Sequence, residues 1–229
     1  MNPAQQSLLP YVQYRCVVGS KAYGLNRSSS DTDRRGFYLP PPERDWSLFP
    51  PPEQLEDRET DECYWEVGKF VRIALKGNPN LLEAMHSPIV ELSTPIAEEL
   101  LSIRSSFFSQ KVHDTYRGYA DAQFRKLING VANHGQPNWK HAMHLLRLLI
   151  QGEQLVRTGI LVTEVGEHRE LLLSVRDGLL TMEQFTMHKE RLESLFDASI
   201  RRSVLPEEPD YGMADAFLIN ARRTALAME

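Results

Sequence analysis

The sequence contains few cysteines and no long apolar run. Its 229 residues include two cysteines, Cys16 and Cys63. They are too few for a disulfide scaffold, and their separation excludes a Cys-x-x-Cys zinc or redox site. No run approaches the roughly 20 apolar residues of a membrane-spanning helix. The N-terminal residues also lack the basic segment followed by an apolar segment that is typical of a secretory signal. We therefore expect a cytoplasmic protein without membrane contact, with both thiols free and buried in strands.

Positive charge is also scarce. Lys and Arg number 26 against 31 Asp and Glu, so the formal net charge is -5. This balance argues against a protein that coats nucleic acid through bulk positive charge, although local basic clusters can still contact it. With a hydrophobic fraction of 41%, the chain has the composition of a globular protein that buries a core in one or two domains.

A Gly-Ser turn and an Asp-x-Asp pair stand close together near the N-terminus. Gly19 and Ser20 follow one short apolar run, and Asp31 and Asp33 precede another. In an extended backbone, residues two apart face the same way, so the two carboxylates should require a cation between them. Mg²⁺ prefers carboxylate and phosphate oxygens, and a Gly-Ser turn offers N–H groups and a hydroxyl to phosphates. The stretch predicts a magnesium and nucleotide site; the alternative is ordinary turn chemistry.

The two parts of the chain differ in periodicity. Three segments rich in β-branched and aromatic residues are predicted as strands: 11–18, 36–39 and 63–65. From residue 67 onward, apolar residues recur at helical spacing, and the second half is predicted to be almost entirely helical. We therefore predict an α+β protein with a mixed sheet in its N-terminal part and a mostly helical C-terminal part.

A basic stripe is predicted on the most apolar helix, residues 139–156. Lys140, His144 and Arg147 stand at i, i+4 and i+7 and so share one face. Charges of one sign in an otherwise apolar helix favour contact with a triphosphate, RNA or another polyanion; the alternative is a solvated face. Gly152 lies within the same helix at a cost of about 1 kcal/mol relative to Ala, which indicates close packing there.

Four motifs carry a resemblance to a known family: Gly19-Ser20-Lys21-Ala22-Tyr23-Gly24, Ser30-Asp31-Thr32-Asp33, Arg35-Gly36 and Lys76-Gly77-Asn78-Pro79-Asn80-Leu81-Leu82-Glu83. Together they resemble the predicted nucleotidyltransferases of the DNA polymerase beta superfamily, in particular an RNA-repair-pathway polymerase-beta-like family. The resemblance is densest between residues 17 and 87. It implies a nucleotidyltransferase core at residues 1–90 and a helical domain at residues 91–229.

The resemblance implies transfer of a nucleoside monophosphate from an NTP to a hydroxyl, with release of pyrophosphate. Two Mg²⁺ ions, with Mn²⁺ as the alternative, would be held by Asp31, Asp33 and a third carboxylate. The family pattern points to Asp61, which could also accept the proton of the attacking hydroxyl. Glu62 and Glu66 are the alternatives, although alternation turns them away from Asp61, and Glu66 could instead begin the next helix.

The same resemblance indicates the phosphate contacts. Gly19, Ser20 and Ser30 would hold the nucleotide phosphates, with Lys21 adding a positive charge. The basic stripe would neutralise charge on the departing pyrophosphate. The segment at residues 78–80 would either pack behind the site or merely cap and connect two helices.

Two other classes of function stay open. A protein of the same fold could bind NTP without turnover, as an antitoxin-like regulatory partner, if its third carboxylate is weak. A purely structural helical protein would leave the joint occurrence of Gly-Ser and Asp-x-Asp unexplained. The family label points to an RNA end as the acceptor, but a protein or small-molecule hydroxyl is equally compatible. The sequence does not define the preferred NTP or the oligomeric state.

Overall fold

The computed structural model describes residues 1–227, and at residue 134 the backbone alone. Its strands are β1 (Val12–Val18), β2 (Asp33–Tyr38), β3 (Gln54–Asp57), β4 (Glu62–Glu66) and β5 (Val90–Ser93). Its α-helices are α1 (Pro3–Gln6), α2 (Gly19–Ala22), α3 (Pro42–Asp45), α4 (Val67–Ala74), α5 (Pro79–Met85), α6 (Pro95–Ser102), α7 (Lys111–His134), α8 (Trp139–Thr158), α9 (Arg169–Arg176), α10 (Met182–Ser199) and α11 (Tyr211–Ala227). Short 3₁₀ turns lie at Leu9–Tyr11, Arg104–Phe107, Gly166–His168 and Ile200–Arg202.

The strands form one mixed sheet in the order β3-β4-β2-β1-β5. β1 is antiparallel to β2 and β5, β3 is antiparallel to β4, and β2 and β4 are parallel. A parallel pair needs a long connection, and here the connection contains a proline-rich segment, α3 and β3. The predicted α+β class with a mixed sheet is confirmed. β3 and β5, which have four residues each, were not predicted, because so short a run shows no clear alternation of apolar and polar residues.

The sheet buries side chains on both of its faces. On one face, the rings of Phe37 and Phe70 pack with their centroids 5.3 Å apart, which joins β2 to α4. On the other face, Tyr38, Leu55 and Tyr64 belong to a second apolar cluster. Successive residues of a strand point to opposite faces, so neighbouring residues such as Phe37 and Tyr38 serve different cores.

The chain forms two compact units. The first, which holds the sheet, comprises Met1–Lys76, Asn80–Phe107 and Pro209–Glu229, and the second comprises Gly77–Pro79 and Phe108–Glu208. The boundaries of these units differ from the predicted division at residue 90. Two helices that follow residue 90 belong to the first unit, because α6 contacts β1 and β5, and α11 contacts α3, α4 and α6. The division into domains 1–90 and 91–229 stays a prediction as far as independent folding is concerned.

The second unit is built around α8, which contacts α7, α9 and α10. The helix begins after Asn138, whose side chain accepts a hydrogen bond from the Lys140 N–H, and it is capped at its C-terminal end by Gly159 in the left-handed conformation. A Cβ atom at Gly152 would lie 2.8 Å from the Phe196 ring, which confirms the predicted close packing. No helix among the described residues is long and apolar enough to cross a bilayer.

Replacing Gly152 by Ala should destabilise the second unit. The added methyl group would overlap the Phe196 ring, and overpacking of this kind typically costs about 1–3 kcal/mol, more than the roughly 1 kcal/mol gained in helix propensity. Urea unfolding should show a lower free energy of unfolding. The matched control is Gly118→Ala in α7, where nothing lies within 4 Å of an added Cβ, so stability should hold or rise. A Gly152→Ala protein at least as stable as the wild type would contradict this packing.

Candidate functional site

A polar cleft of about 370 Å³ lies on one face of the sheet, in the first unit. It opens where β1 ends and where the parallel strands β2 and β4 begin. Its walls come from these strands, β3, α2 and α5, and include Gly19, Asp33, Arg35, Glu56, Cys63 and Glu83. Arg35 is paired with Cys63, and Cys63 with Glu56, across adjacent strands, so these three side chains share one face.

The turn after β1 brings the backbone against a carboxylate. Gly19 begins α2 with a φ of 70°, a left-handed conformation that favours glycine. A Cβ atom at this position would lie 2.0 Å from Asp33 Oδ2. Glycine is therefore required both for the conformation and for the close approach. The structure thus brings together the Gly-Ser turn and one carboxylate of the Asp-x-Asp pair.

The two carboxylates of that pair differ in their surroundings. Asp31 precedes β2 and is exposed, whereas Asp33 begins β2 and is half-buried in the cleft wall. Lys21 Nζ donates a hydrogen bond to Thr32 Oγ1, between the two aspartates. A positive charge therefore lies beside the Asp-x-Asp segment.

The two serines of the predicted site also have distinct positions. Ser20 lies in the single turn of α2 and is half-exposed. Ser30 closes a turn, because its Oγ accepts a hydrogen bond from the Arg27 N–H at 2.8 Å. Phosphate binding by either serine stays a prediction.

Asp61, predicted as the third carboxylate, is engaged by an arginine. Arg35 Nη2 lies 2.8 Å from Asp61 Oδ1, and Arg35 Nη1 donates to the Asp61 carbonyl at 2.7 Å. Asp61 also has a φ of 51°, so its backbone leaves the extended conformation just before β4. The structure does not bring Asp31, Asp33 and Asp61 together as a cage. In the described part of the chain, no group of three His, Cys, Asp or Glu side chains is arranged to hold a metal ion.

The two alternative carboxylates, Glu62 and Glu66, point away from the cleft. Glu62 accepts a hydrogen bond from the Tyr64 hydroxyl at 2.8 Å. Glu66 accepts from the N–H groups of Gly68 and Lys69, each at 2.8 Å, and so caps α4. The interpretation that Glu66 begins the next helix is confirmed.

Sequence reasoning assigned no role in the site to Glu56 or Cys63, and it gave Arg35 only as part of the Arg35-Gly36 motif. Arg35 was detectable, because it stands two residues after Asp33 in the same strand and so shares its face. Glu56 carried no such signal, since β3 and its pairing were not predicted. Cys63 is only partly buried in the cleft wall, not enclosed as expected, and burial raises the pKa of its thiol to about 11.

Helix α5 contributes a further wall. Asn80 and Glu83 both line the cleft. The Glu83 side chain is buried and accepts a hydrogen bond from the Tyr23 hydroxyl. The Asn-Pro-Asn segment therefore leads into a helix that forms part of the site, which capping alone would not require.

The predicted basic stripe on α8 is largely covered within the second unit. Lys140 is exposed, but Arg147 is 5% exposed and donates to Gln151 Oε1 at 3.2 Å. Burial, followed by the charge of Arg147, lowers the pKa of His144 to about 3, so His144 is neutral at pH 7. The stripe is less positive and less accessible than the spacing indicated, because other elements pack around α8. A role of these three residues in phosphate binding stays a prediction.

The fold and the cleft define the class of protein. A mixed sheet in which a Gly-Ser turn meets an aspartate of the neighbouring strand, followed by mostly helical chain, fits the polymerase-beta-like architecture. The family model described as the RNA repair pathway DNA polymerase beta family matches residues 4–220. The chain therefore belongs to this family.

Two curated relatives are similar over parts of the chain. The uncharacterized protein YcgL of Bacillus subtilis is 32% identical over 108 residues, which are 45% of this chain and 42% of the relative. The uncharacterized protein MJ0002 of Methanocaldococcus jannaschii is 28% identical over 170 residues, which are 70% of this chain and 63% of the relative. The chain thus spans less than two thirds of either relative, and the functional indication comes from the family description.

Replacing Gly19 by Ala should disrupt the cleft more than the same change at Gly24. Both glycines are left-handed, with φ values of 70° and 71°, so each substitution should cost about 1–2 kcal/mol in backbone strain. Only at Gly19 would the new Cβ collide with Asp33, since nothing lies within 4 Å of a Cβ at Gly24. Gly19→Ala should therefore lose more free energy of unfolding. Equal losses in the two variants would show that the contact with Asp33 is absent.

Stability should fall with acidity through His144. In the folded protein its pKa lies near 3, against an ordinary value of 6.5. As pH falls below about 6.5 the unfolded chain takes up this proton while the folded protein does not, so stability is lost. Between pH 7.5 and pH 5, the free energy of unfolding should fall less in His144→Gln than in the wild type. The control is His168→Gln, whose parent side chain is 39% exposed and which should follow the wild type.

Proposed function

We propose that the protein is a nucleotidyltransferase that moves a nucleoside monophosphate from an NTP to a hydroxyl and releases pyrophosphate. Family membership supports this class of reaction. The observation that carries the proposal is the approach of the Gly19 backbone to Asp33 in the cleft wall. It joins a turn that can receive phosphates to a carboxylate that can hold their cation.

Magnesium, with manganese as the alternative, is the proposed metal. Mg²⁺ usually takes one or two protein carboxylates and completes its shell with substrate phosphates and water. Asp31 and Asp33 fit this donor set, and Asp61, paired with Arg35, is not required for it. When bound, the ion would neutralise charge on the triphosphate and the leaving pyrophosphate.

The phosphates are proposed to lie against the Gly-Ser turn. Gly19 and Ser20 would offer backbone N–H groups and a hydroxyl, and Ser30 a second hydroxyl at the start of the Asp-x-Asp segment. Lys21 supplies a positive charge beside Thr32. These contacts would orient the α-phosphate for attack by the acceptor hydroxyl.

Arg35 is proposed to stabilise the transition state. Its guanidinium lines the cleft while it pairs with Asp61, and this planar group can bind phosphate oxygens through two hydrogen bonds at once. A fixed positive charge beside the reacting phosphates stabilises the negative charge that develops on them. The neighbouring Arg34 has a different environment, since it pairs with Glu91 at 2.8 Å.

An RNA end is the proposed acceptor, because the family description refers to an RNA repair pathway. At a net charge of -5, general attraction of RNA by the whole surface is not the source of affinity. Contact with the acceptor is therefore proposed to come from local groups.

Binding of NTP without turnover is the second candidate function, as in an antitoxin-like regulatory protein. It is favoured by one observation, the engagement of Asp61 by Arg35, which takes away the third carboxylate that the family pattern indicated. The two candidates share the nucleotide site and differ in whether transfer occurs.

Asp33→Asn should abolish transfer while leaving the fold intact. The purified protein is incubated with Mg²⁺, each NTP labelled at the α-phosphate, and a mixture of RNA ends. The substitution keeps the shape beside Gly19 but removes the charge that would hold the metal-bound triphosphate. Since metal stabilisation of the transition state is worth several kcal/mol, transfer should fall about 100-fold or more.

The matched control is Asp215→Asn. Asp215 is exposed on α11, so transfer should equal that of the wild type. Loss of transfer in both variants, or in neither, would contradict the role of Asp33. Binding of NTP is followed separately by the rate at which Cys63, in the cleft wall, is alkylated. The other cysteine, Cys16, is fully buried and should not react. An NTP that slows this alkylation without any transfer would support the second candidate.

A further inference from the structure

A buried hydrogen bond joins α5 to the Gly-Ser turn. The Tyr23 hydroxyl donates to Glu83 Oε2, across 60 positions of the sequence. Tyr23 is 6% exposed and Glu83 is 2% exposed, and both line the cleft. The bond therefore lies in the wall of the candidate site and connects two elements that are distant in the chain.

Tyr23 is itself part of the turn. Its N–H donates to the Gly19 carbonyl at 3.0 Å, and it caps the C-terminal end of α2. A helix of a single turn is not stable on its own in water. The position of the turn therefore depends on the tertiary contacts of its residues, among which is the bond from Tyr23 to Glu83.

Helix α5 is in turn held by β1. The Tyr14 hydroxyl and the Cys16 thiol of β1 donate to the Ala84 carbonyl, at 2.8 and 3.3 Å. Just beyond the end of the helix, Ser87 Oγ donates to the Val17 carbonyl. Since several bonds fix α5 and the residues that follow it to the strand, Glu83 is presented to Tyr23 from a fixed support. Loss of one bond between α5 and β1 should leave that support in place.

We infer that the Tyr23–Glu83 hydrogen bond positions the Gly19–Ser20 turn to receive the triphosphate. The inference rests on the proposed function. Tyr23 and Glu83 are positioning residues, because they act through the turn. A hydrogen bond to a carboxylate is stronger than one between neutral groups, and a buried one is not weakened by water. It is therefore suited to hold the turn against the charge of the incoming phosphates.

The test compares Tyr23→Phe and Glu83→Gln with a matched control, Tyr14→Phe. The control removes a buried tyrosine hydroxyl that also bonds to α5 but does not reach α2. Dissociation constants of an NTP and of the corresponding monophosphate are measured by calorimetry with Mg²⁺, at a temperature where circular dichroism shows every variant folded. Urea unfolding gives the stability of each protein.

Tyr23→Phe and Glu83→Gln should each raise the dissociation constant of the NTP about tenfold. The monophosphate should be affected by less than about twofold, because it lacks the β- and γ-phosphates that the turn would hold. Tyr14→Phe should lose stability but bind the NTP as the wild type does. The double variant Tyr23→Phe/Glu83→Gln should bind no more weakly than either single variant, because both changes remove one bond.

Two outcomes would overturn the inference alone. The first is unchanged NTP affinity in Tyr23→Phe with a loss of stability like that of Tyr14→Phe, which would make the bond purely structural. The second is an equal loss of NTP affinity in Tyr14→Phe. It would show that removing either buried tyrosine hydroxyl weakens NTP binding, whether or not that hydroxyl joins α5 to the turn. Failure of the wild type to bind any NTP would overturn the proposed function, and the inference with it, so the two failures are distinguishable.

Discussion

The candidate site depends on the contact between the Gly19 backbone and the Asp33 carboxylate. Val18 and Asp33 face each other in the antiparallel pair of β1 and β2, so the turn that follows β1 begins where β2 starts. A side chain at position 19 would occupy the place of Asp33 Oδ2. The absence of a Cβ atom therefore lets the turn proposed to receive phosphates and the carboxylate proposed to hold their cation share one wall. Tyr23, which follows this turn, is hydrogen-bonded to Glu83 in the same cleft.

The balance of charge in the cleft indicates how a nucleotide would enter it. Asp33, Glu56 and Glu83 line the cleft together with Arg35, whose charge is already paired with Asp61. These carboxylates would repel a bare triphosphate, whereas a triphosphate that carries a divalent cation brings the charge they require. Under the proposed function, the metal and the nucleotide would therefore enter together, and the substrate phosphates would complete the coordination of the metal.

Much of the architecture was predictable from local patterns. Helical spacing of apolar residues predicted α8 to within two residues of its observed end, and Gly152 indicated the close packing found there. Alternation along β2 could also have placed Arg35 beside Asp33. β3 and β5 could not be found in this way, because four residues are too few to distinguish a strand from a turn, and Glu56 was missed with β3.

The sequence by itself determined β1, β2 and β4, the long helices, the presence of a turn at Gly19 and Ser20, and the family. Only the tertiary structure decided that Arg35 engages Asp61, that Arg147 is buried and that Glu83 reaches the cleft. The physical reason is that periodicity reports which side of an element is apolar. The partner that covers that side, and the charge that neutralises a given carboxylate, depend on residues far away in the chain that fold to the same place.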